Sequence, residues 1–174
     1  MGKHTNLSVI VHNILIQPCD IVVISANPSL LAGSGISGII HKAAGPKLEA
    51  VAKPFAPLAP GQAIITPAFS LSAKNVIHTV CPRYMDGQRG ESEQLYNAYA
   101  SALALHSEAP DAKSIAFVSM GTGVYKWPVV LASDIAVKAL LTSRFEKTLM
   151  CVIDEKTRQM YRAALDSYSQ ATDL

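Results

Sequence analysis

Two glycine-rich turns are the parts of this sequence best suited to chemistry. "LAGSGISGIIHKAAG" (31–45) holds Gly33, Ser34, Gly35, Ile36, Ser37 and Gly38, and "SMGTGVYKWP" (119–128) holds Gly121, Thr122, Gly123, Val124 and Tyr125. Glycine admits an anion close to backbone amides, and a following helix adds the positive end of its dipole. Each turn precedes a helix-like stretch. In a parallel α/β sheet both would share one face, so the pair suits a ligand with two phosphates.

The first turn spells G-x-G-x-x-G, the dinucleotide fingerprint, but its context is wrong for that. "ANPSLLA" separates it from the preceding strand, and no Asp or Glu occurs from Ala50 to Met85 to hold a ribose. No Gly-Lys-Ser/Thr follows, which removes a P-loop. A purely structural loop remains open on these residues alone.

Ser37 and His41 lie four apart on the predicted helix and form the one candidate for an activated nucleophile. The next position on that face is Gly45 rather than an orienting acid. A histidine that orders local packing or a water fits as well. His78 in "NVIHTV" reads as a structural strand residue, and His12, His4 and His106 share no zinc-like spacing with cysteines. No metal and no cofactor are expected. Cys19, Cys81 and Cys151 sit in or beside strand-like runs and read as reduced, buried thiols, which implies a cytoplasmic protein.

The elements that must position these turns alternate in kind. Strand-like runs occupy 7–12, 20–25, 63–69, 75–80, 114–120 and 148–153, several of them apolar on nearly every residue, as expected of inner strands covered on both faces. Helical spacing runs from Ile36 to Val51, from Ser92 to His106, from Val129 to Leu141 and from Thr157 to Tyr168. The alternation predicts a three-layer α/β/α domain with a mostly parallel sheet, one domain over residues 1–174.

Composition narrows the partners. A formal charge of +2 without Lys/Arg runs weighs against nucleic acid. No signal-like or membrane-spanning apolar stretch is expected, and Met1-Gly2 is followed by Asn6 where a myristoylation motif wants Ser or Thr.

Four blocks, "DIVVISANPSLLAGSGISGIIHKAAG" (20–45), "PGQAIITPAF" (60–69), "NVIHTVCPRY" (75–84) and "SIAFVSMGTGVYKWP" (114–128), resemble the macro domain family in order and spacing. The resemblance implies a six-stranded mixed sheet between helices, with ADP-ribose lying across the strand ends. It implies that Gly33, Ser34, Gly35 and Ile36 on one side, and Gly121, Thr122, Gly123, Val124 and Tyr125 on the other, hold the diphosphate through backbone amides. Asn27 matches the asparagine beside the distal ribose, and Tyr125 the aromatic against it. Asn13-Ile14 stands where the family often has Asp-Ile to read adenine, and Ile153 where an aromatic commonly stacks on it.

In hydrolytic members of the best-known type an acid stands ten positions after that asparagine; here it is Ser37, and no carboxylate occurs between Ile21 and Leu48. A hydroxyl orients water but is a poor general base. The expected function is binding of ADP-ribose or an ADP-ribosylated protein, with Asn27 and Ser37 as the candidate catalytic pair and weak or absent hydrolysis. The alternative is a hydrolase removing ADP-ribose, or an acyl or phosphate group, without the usual Asp.

Overall fold

Each apolar, β-branched run becomes a strand of one sheet: β1 (Leu7–Val11), β2 (Ile21–Ser25), β3 (Ala63–Pro67), β4 (Asn75–Thr79), β5 (Ser114–Val118) and β6 (Lys147–Val152). The computed structural model describes residues 6–171; Met1-Gly2 and His4, and the ends of the expected 1–174 domain, lie outside the described residues. The strand order is β1-β6-β5-β2-β4-β3. Every neighbouring pair is parallel except β3 with β4. The six predicted runs are therefore the six strands, with ends that differ by one or two residues. Five lose residues at the carboxyl end, β2 begins one residue later, and β6 begins one residue earlier.

Helices cover both faces, because parallel strands must be joined by crossovers. The helices are α1 (Gly35–Ala44), α2 (Pro46–Ala52), α3 (Glu91–Ala104), α4 (Val129–Leu140) and α5 (Glu155–Ala171). On one face, Tyr99 of α3, Ala136 of α4 and Tyr161 of α5 pack on Ile21, Phe117 and Met150. On the other, Ile40 and Ala44 of α1 and Leu48 of α2 pack on Val22, Ile24, Val76 and Leu149. Burying each such side chain contributes about 1.5–3 kcal/mol before entropy is charged against it. The result is the expected three-layer sandwich.

The continuous helix expected from Ile36 to Val51 is two helices. Gly45 adopts φ 93°, closed by its N–H on the His41 carbonyl, and Pro46 opens the next helix at a position needing no N–H donor. The apolar residues of that stretch do not share one face either. Ile40 and Leu48 are buried, whereas Ile39 and Val51 are exposed.

Five parallel strands send their carboxyl ends to one edge of the sheet, and the segments leaving those ends make the site. Residues 12–19 leave β1, 26–34 leave β2, 80–90 leave β4, 119–128 leave β5, and 153–154 leave β6.

Candidate functional site

The first glycine turn is held from behind by three contacts. A Cβ on Gly33 would stand 2.6 Å from Asn27 Nδ2, so the turn lies directly against the Asn27 amide. A Cβ on Gly38 would stand 2.0 Å from the Gly33 carbonyl oxygen, which seats the turn on the first helical turn of α1. Glu49 of α2 accepts the Ala32 N–H at Oε2, 2.8 Å. The segment leading in is fixed by Leu30, Ala52, Leu58 and Val80, packed as a small separate cluster. Ser34 is the N-cap residue of α1, exposed, and its hydroxyl makes no cap bond; Gly35 takes φ 69° beside it.

The second turn is anchored from below by two buried tyrosines. Ser119 Oγ lies 2.6 Å from Tyr161 OH, and Tyr99 OH accepts the Met120 N–H at 3.0 Å. Gly121 takes φ 85°, and a Cβ there would stand 2.5 Å from Trp127 Cδ1. Trp127 returns its N–H to the Gly121 carbonyl and donates its indole Nε1–H to the Pro82 carbonyl, 2.9 Å. The Tyr84 N–H donates to the Tyr125 carbonyl at 3.0 Å, tying this turn to the segment after β4.

Between the turns and the ends of β1 and β6 opens a cleft of about 670 Å³. It is lined by Val11, His12, Asn13 and Ile14 after β1, by Ile36 and Ile39 of α1, by Val118, Ser119 and Thr122, by Val129, and by Cys151, Val152, Ile153 and Thr157. None of these is Asp, Glu, Lys or Arg. Thr157 sits in the first turn of α5, which Asp154 caps by accepting the Thr157 N–H at 2.7 Å.

Of the expected site residues, Asn13, Ile14, Ile36, Thr122 and Ile153 line this cleft together. Asn13 already accepts the Leu15 N–H at Oδ1, 2.9 Å, which leaves that oxygen one further lone pair. Ile14 is buried, whereas Ile153 lies one residue beyond β6, 91% exposed at the rim, so its role is not that of a core strand residue. Asn27, Gly33, Ser34 and Gly35 lie on the first turn's side outside the main cavity. Gly121, Gly123, Val124 and Tyr125 form the second turn, with Val124 wholly outward and Tyr125 half-buried.

Ser37 is not among the residues that line the cleft. It is buried, does not line the smaller hollow behind the first turn either, and among the described residues its hydroxyl has no partner. It shares the inner face of α1 with His41, whose ring lies 6.0 Å from that of His78. His78 bonds Thr66 Oγ1 through Nε2 at 3.0 Å. Burial lowers the pKa of His41, opposed by the Glu49 charge, and burial together with the neighbouring His41 lowers that of His78 to about 4. Both rings are therefore neutral near pH 7. Among the described residues no acid is hydrogen-bonded to Ser37 or His41, Glu49 being held on the Ala32 N–H, and no three His, Cys, Asp or Glu side chains are grouped to hold a metal. Burial pushes the Cys19 and Cys81 thiols up to about 11 and Cys151 to about 12, which keeps them from acting as thiolates.

Sequence reasoning did not name Val11, His12, Ile39, Glu49, Val118, Ser119, Val129, Cys151, Val152 and Thr157 among the site residues. Position alone could have found several of them, since they end parallel strands or begin the next helix. Nothing local marks Glu49.

Comparison with known proteins agrees with this architecture. The Macro domain family model matches residues 23–136. The chain belongs to the macro domain family. A protein of Klebsiella pneumoniae named O-acetyl-ADP-ribose deacetylase is 43% identical over 169 residues, covering 92% of this chain and 96% of that protein. A macro domain-containing protein of Lactiplantibacillus plantarum is 41% identical over 152 residues, covering 84% and 88%. Among solved structures, a variant of the Oceanobacillus iheyensis macrodomain with ADPR superposes with a TM-score of 0.86 at 31% identity, covering 94% of each chain. The macro domain resemblance read from the sequence thus holds, and with it the fold.

Proposed function

We propose that this macro domain binds ADP-ribose or a derivative of it, adenosine toward Asn13, Ile14 and Ile153, diphosphate between the two glycine turns, and distal ribose toward Asn27 and Tyr125. The observation that carries the reading is a largely apolar cleft, without Asp, Glu, Lys or Arg in its lining, bordered by two glycine-rich turns. An aromatic base suits the apolar part. A diphosphate suits preorganised amides, which need no reorganisation to meet it. The solved relative with ADPR supports the same occupant. Calorimetry with ADP-ribose tests it: saturable heat is expected, weakened in Asn27→Ala. No heat at millimolar ligand with intact fold refutes it.

A second reading, hydrolysis of an ADP-ribose derivative, is favoured by the deacetylase name of the Klebsiella pneumoniae relative. Acid-assisted attack is weak or absent on our reading, because a buried Ser37 stands in the acid's place and a hydroxyl is a poor general base. Ester cleavage needs another route to activate water. Release of acetate from O-acetyl-ADP-ribose, lost in Asn27→Ala, supports that reading; a progress curve equal to buffer rejects it.

A further inference from the structure

Sheet order places the end of β4 beside the end of β2, so residues 80–84 adjoin the segment that carries Asn27, outside the main cavity. There the Arg83 guanidinium carbon lies 5.4 Å over the centre of the Tyr125 ring. Arg83 is exposed, and among the described residues it makes no ion pair; the pairs found are Lys74–Asp20, Arg89–Asp86 and Arg158–Glu155. Its backbone is held on both sides, by Trp127 on Pro82 and by Tyr84 on Tyr125. The loop beyond is fixed by Glu91, whose carboxylate accepts the N–H groups of Met85, Asp86, Gly87 and Arg89. Exposed Lys126 adjoins Tyr125 in the chain.

The acids near the two turns are engaged: Glu49 is held on the Ala32 N–H beside the first turn. Neither 21–48 nor 112–133 contains an Asp or Glu. The nearest acids in the 80–91 segment are engaged, Asp86 with Arg89 and Glu91 with the backbone. A guanidinium stacked on an aromatic ring keeps its N–H edge free to take a carboxylate in two parallel bonds.

Resting on the ADP-ribose reading, we infer that Arg83 is a specificity-determining residue that meets the group attached to the distal ribose. It selects esters of ADP-ribose whose acyl group ends in a carboxylate, the dicarboxylic monoesters, over neutral ones such as the acetyl ester. The diphosphate turns are indifferent to that choice, because they touch the other half of the ligand.

The test is calorimetric titration of the wild type, Arg83→Ala and Arg83→Lys with ADP-ribose, O-acetyl-ADP-ribose and O-succinyl-ADP-ribose, each ester checked for integrity by chromatography. The wild type is expected to bind the succinyl ester about 3- to 10-fold tighter than the acetyl ester, as a partly exposed Arg–carboxylate pair would give. Arg83→Ala brings the ratio to about one, Arg83→Lys restores part of it, and high salt shrinks it in the wild type. Equal affinities in the wild type, or a preference that survives Arg83→Ala, overturn the inference. If ADP-ribose itself gives no heat, the binding reading falls and this one with it; if ADP-ribose binds and the esters are not distinguished, only this one falls.

Discussion

Gly38→Ala separates helix stability from the placement of the first glycine turn. Gly38 has ordinary helical backbone within α1, so alanine there would by propensity alone stabilise the helix by about 1 kcal/mol. The added Cβ, however, would stand 2.0 Å from the Gly33 carbonyl oxygen, while ordinary contact begins at 3.4 Å. The obstacle is backbone, not the end of a flexible side chain, so the turn has to move by about 1.4 Å, the difference between those distances. An amide displaced that far leaves a hydrogen bond of about 2.9 Å stretched beyond useful range. A bond to a charged acceptor is worth roughly 1.5–3 kcal/mol, so loss of even one weakens binding by about 10- to 150-fold. Calorimetry with ADP-ribose beside circular dichroism melting distinguishes the two effects. The expected result is a melting temperature changed by only a few degrees with binding largely lost. A folded Gly38→Ala protein that binds within twofold of wild type refutes the claim that this turn's position matters.

Gly121→Ala is expected to cost about 2–4 kcal/mol, from left-handed backbone and from a Cβ 2.5 Å from the Trp127 ring, read as a lower urea midpoint. Glu49→Gln replaces a charged acceptor of the Ala32 N–H by a neutral one, so ADP-ribose affinity should fall several-fold while the Tyr161 and Trp127 side of the fold is unchanged by near-ultraviolet dichroism. His78 titrates near 4 in the fold against 6.5 as its ordinary value. The unfolded chain therefore binds more protons between those pH values, and stability present above pH 6.5 is lost as pH falls through the window. The loss from this residue is about 2 kcal/mol by pH 5, seen as a shallower pH dependence of urea unfolding in His78→Gln than in wild type.

Strands were legible because β-branched runs covered on both faces leave a nearly continuous apolar signal, as "DIVVIS" and "SIAFVSM" do. The glycine turns were legible as turns, because Gly35 and Gly121 take positive φ that other residues rarely adopt. The break at Gly45-Pro46 was written in the sequence too, yet the apolar spacing from Ile36 to Val51 masked it, because Ile39 serves the cleft rather than the core. Ser37 shows the limit more sharply. Its distance from Asn27 is a sequence fact, but whether its hydroxyl meets the cleft depends on the rotation of α1 over the sheet, which buries it. Glu49 was invisible because its bond to Ala32 spans 17 residues and a change of helix.

Joint grip on a diphosphate by the amides of residues 33–36 and 121–125 is what the proposed function stands on. Amide-resolved NMR titration with ADP-ribose tests it residue by residue. We predict the largest shifts at Gly33, Ser34, Gly35 and Ile36 and at Gly121, Thr122, Gly123, Val124 and Tyr125, saturating together at one affinity. Saturating shifts elsewhere, with both turns unmoved, would contradict it.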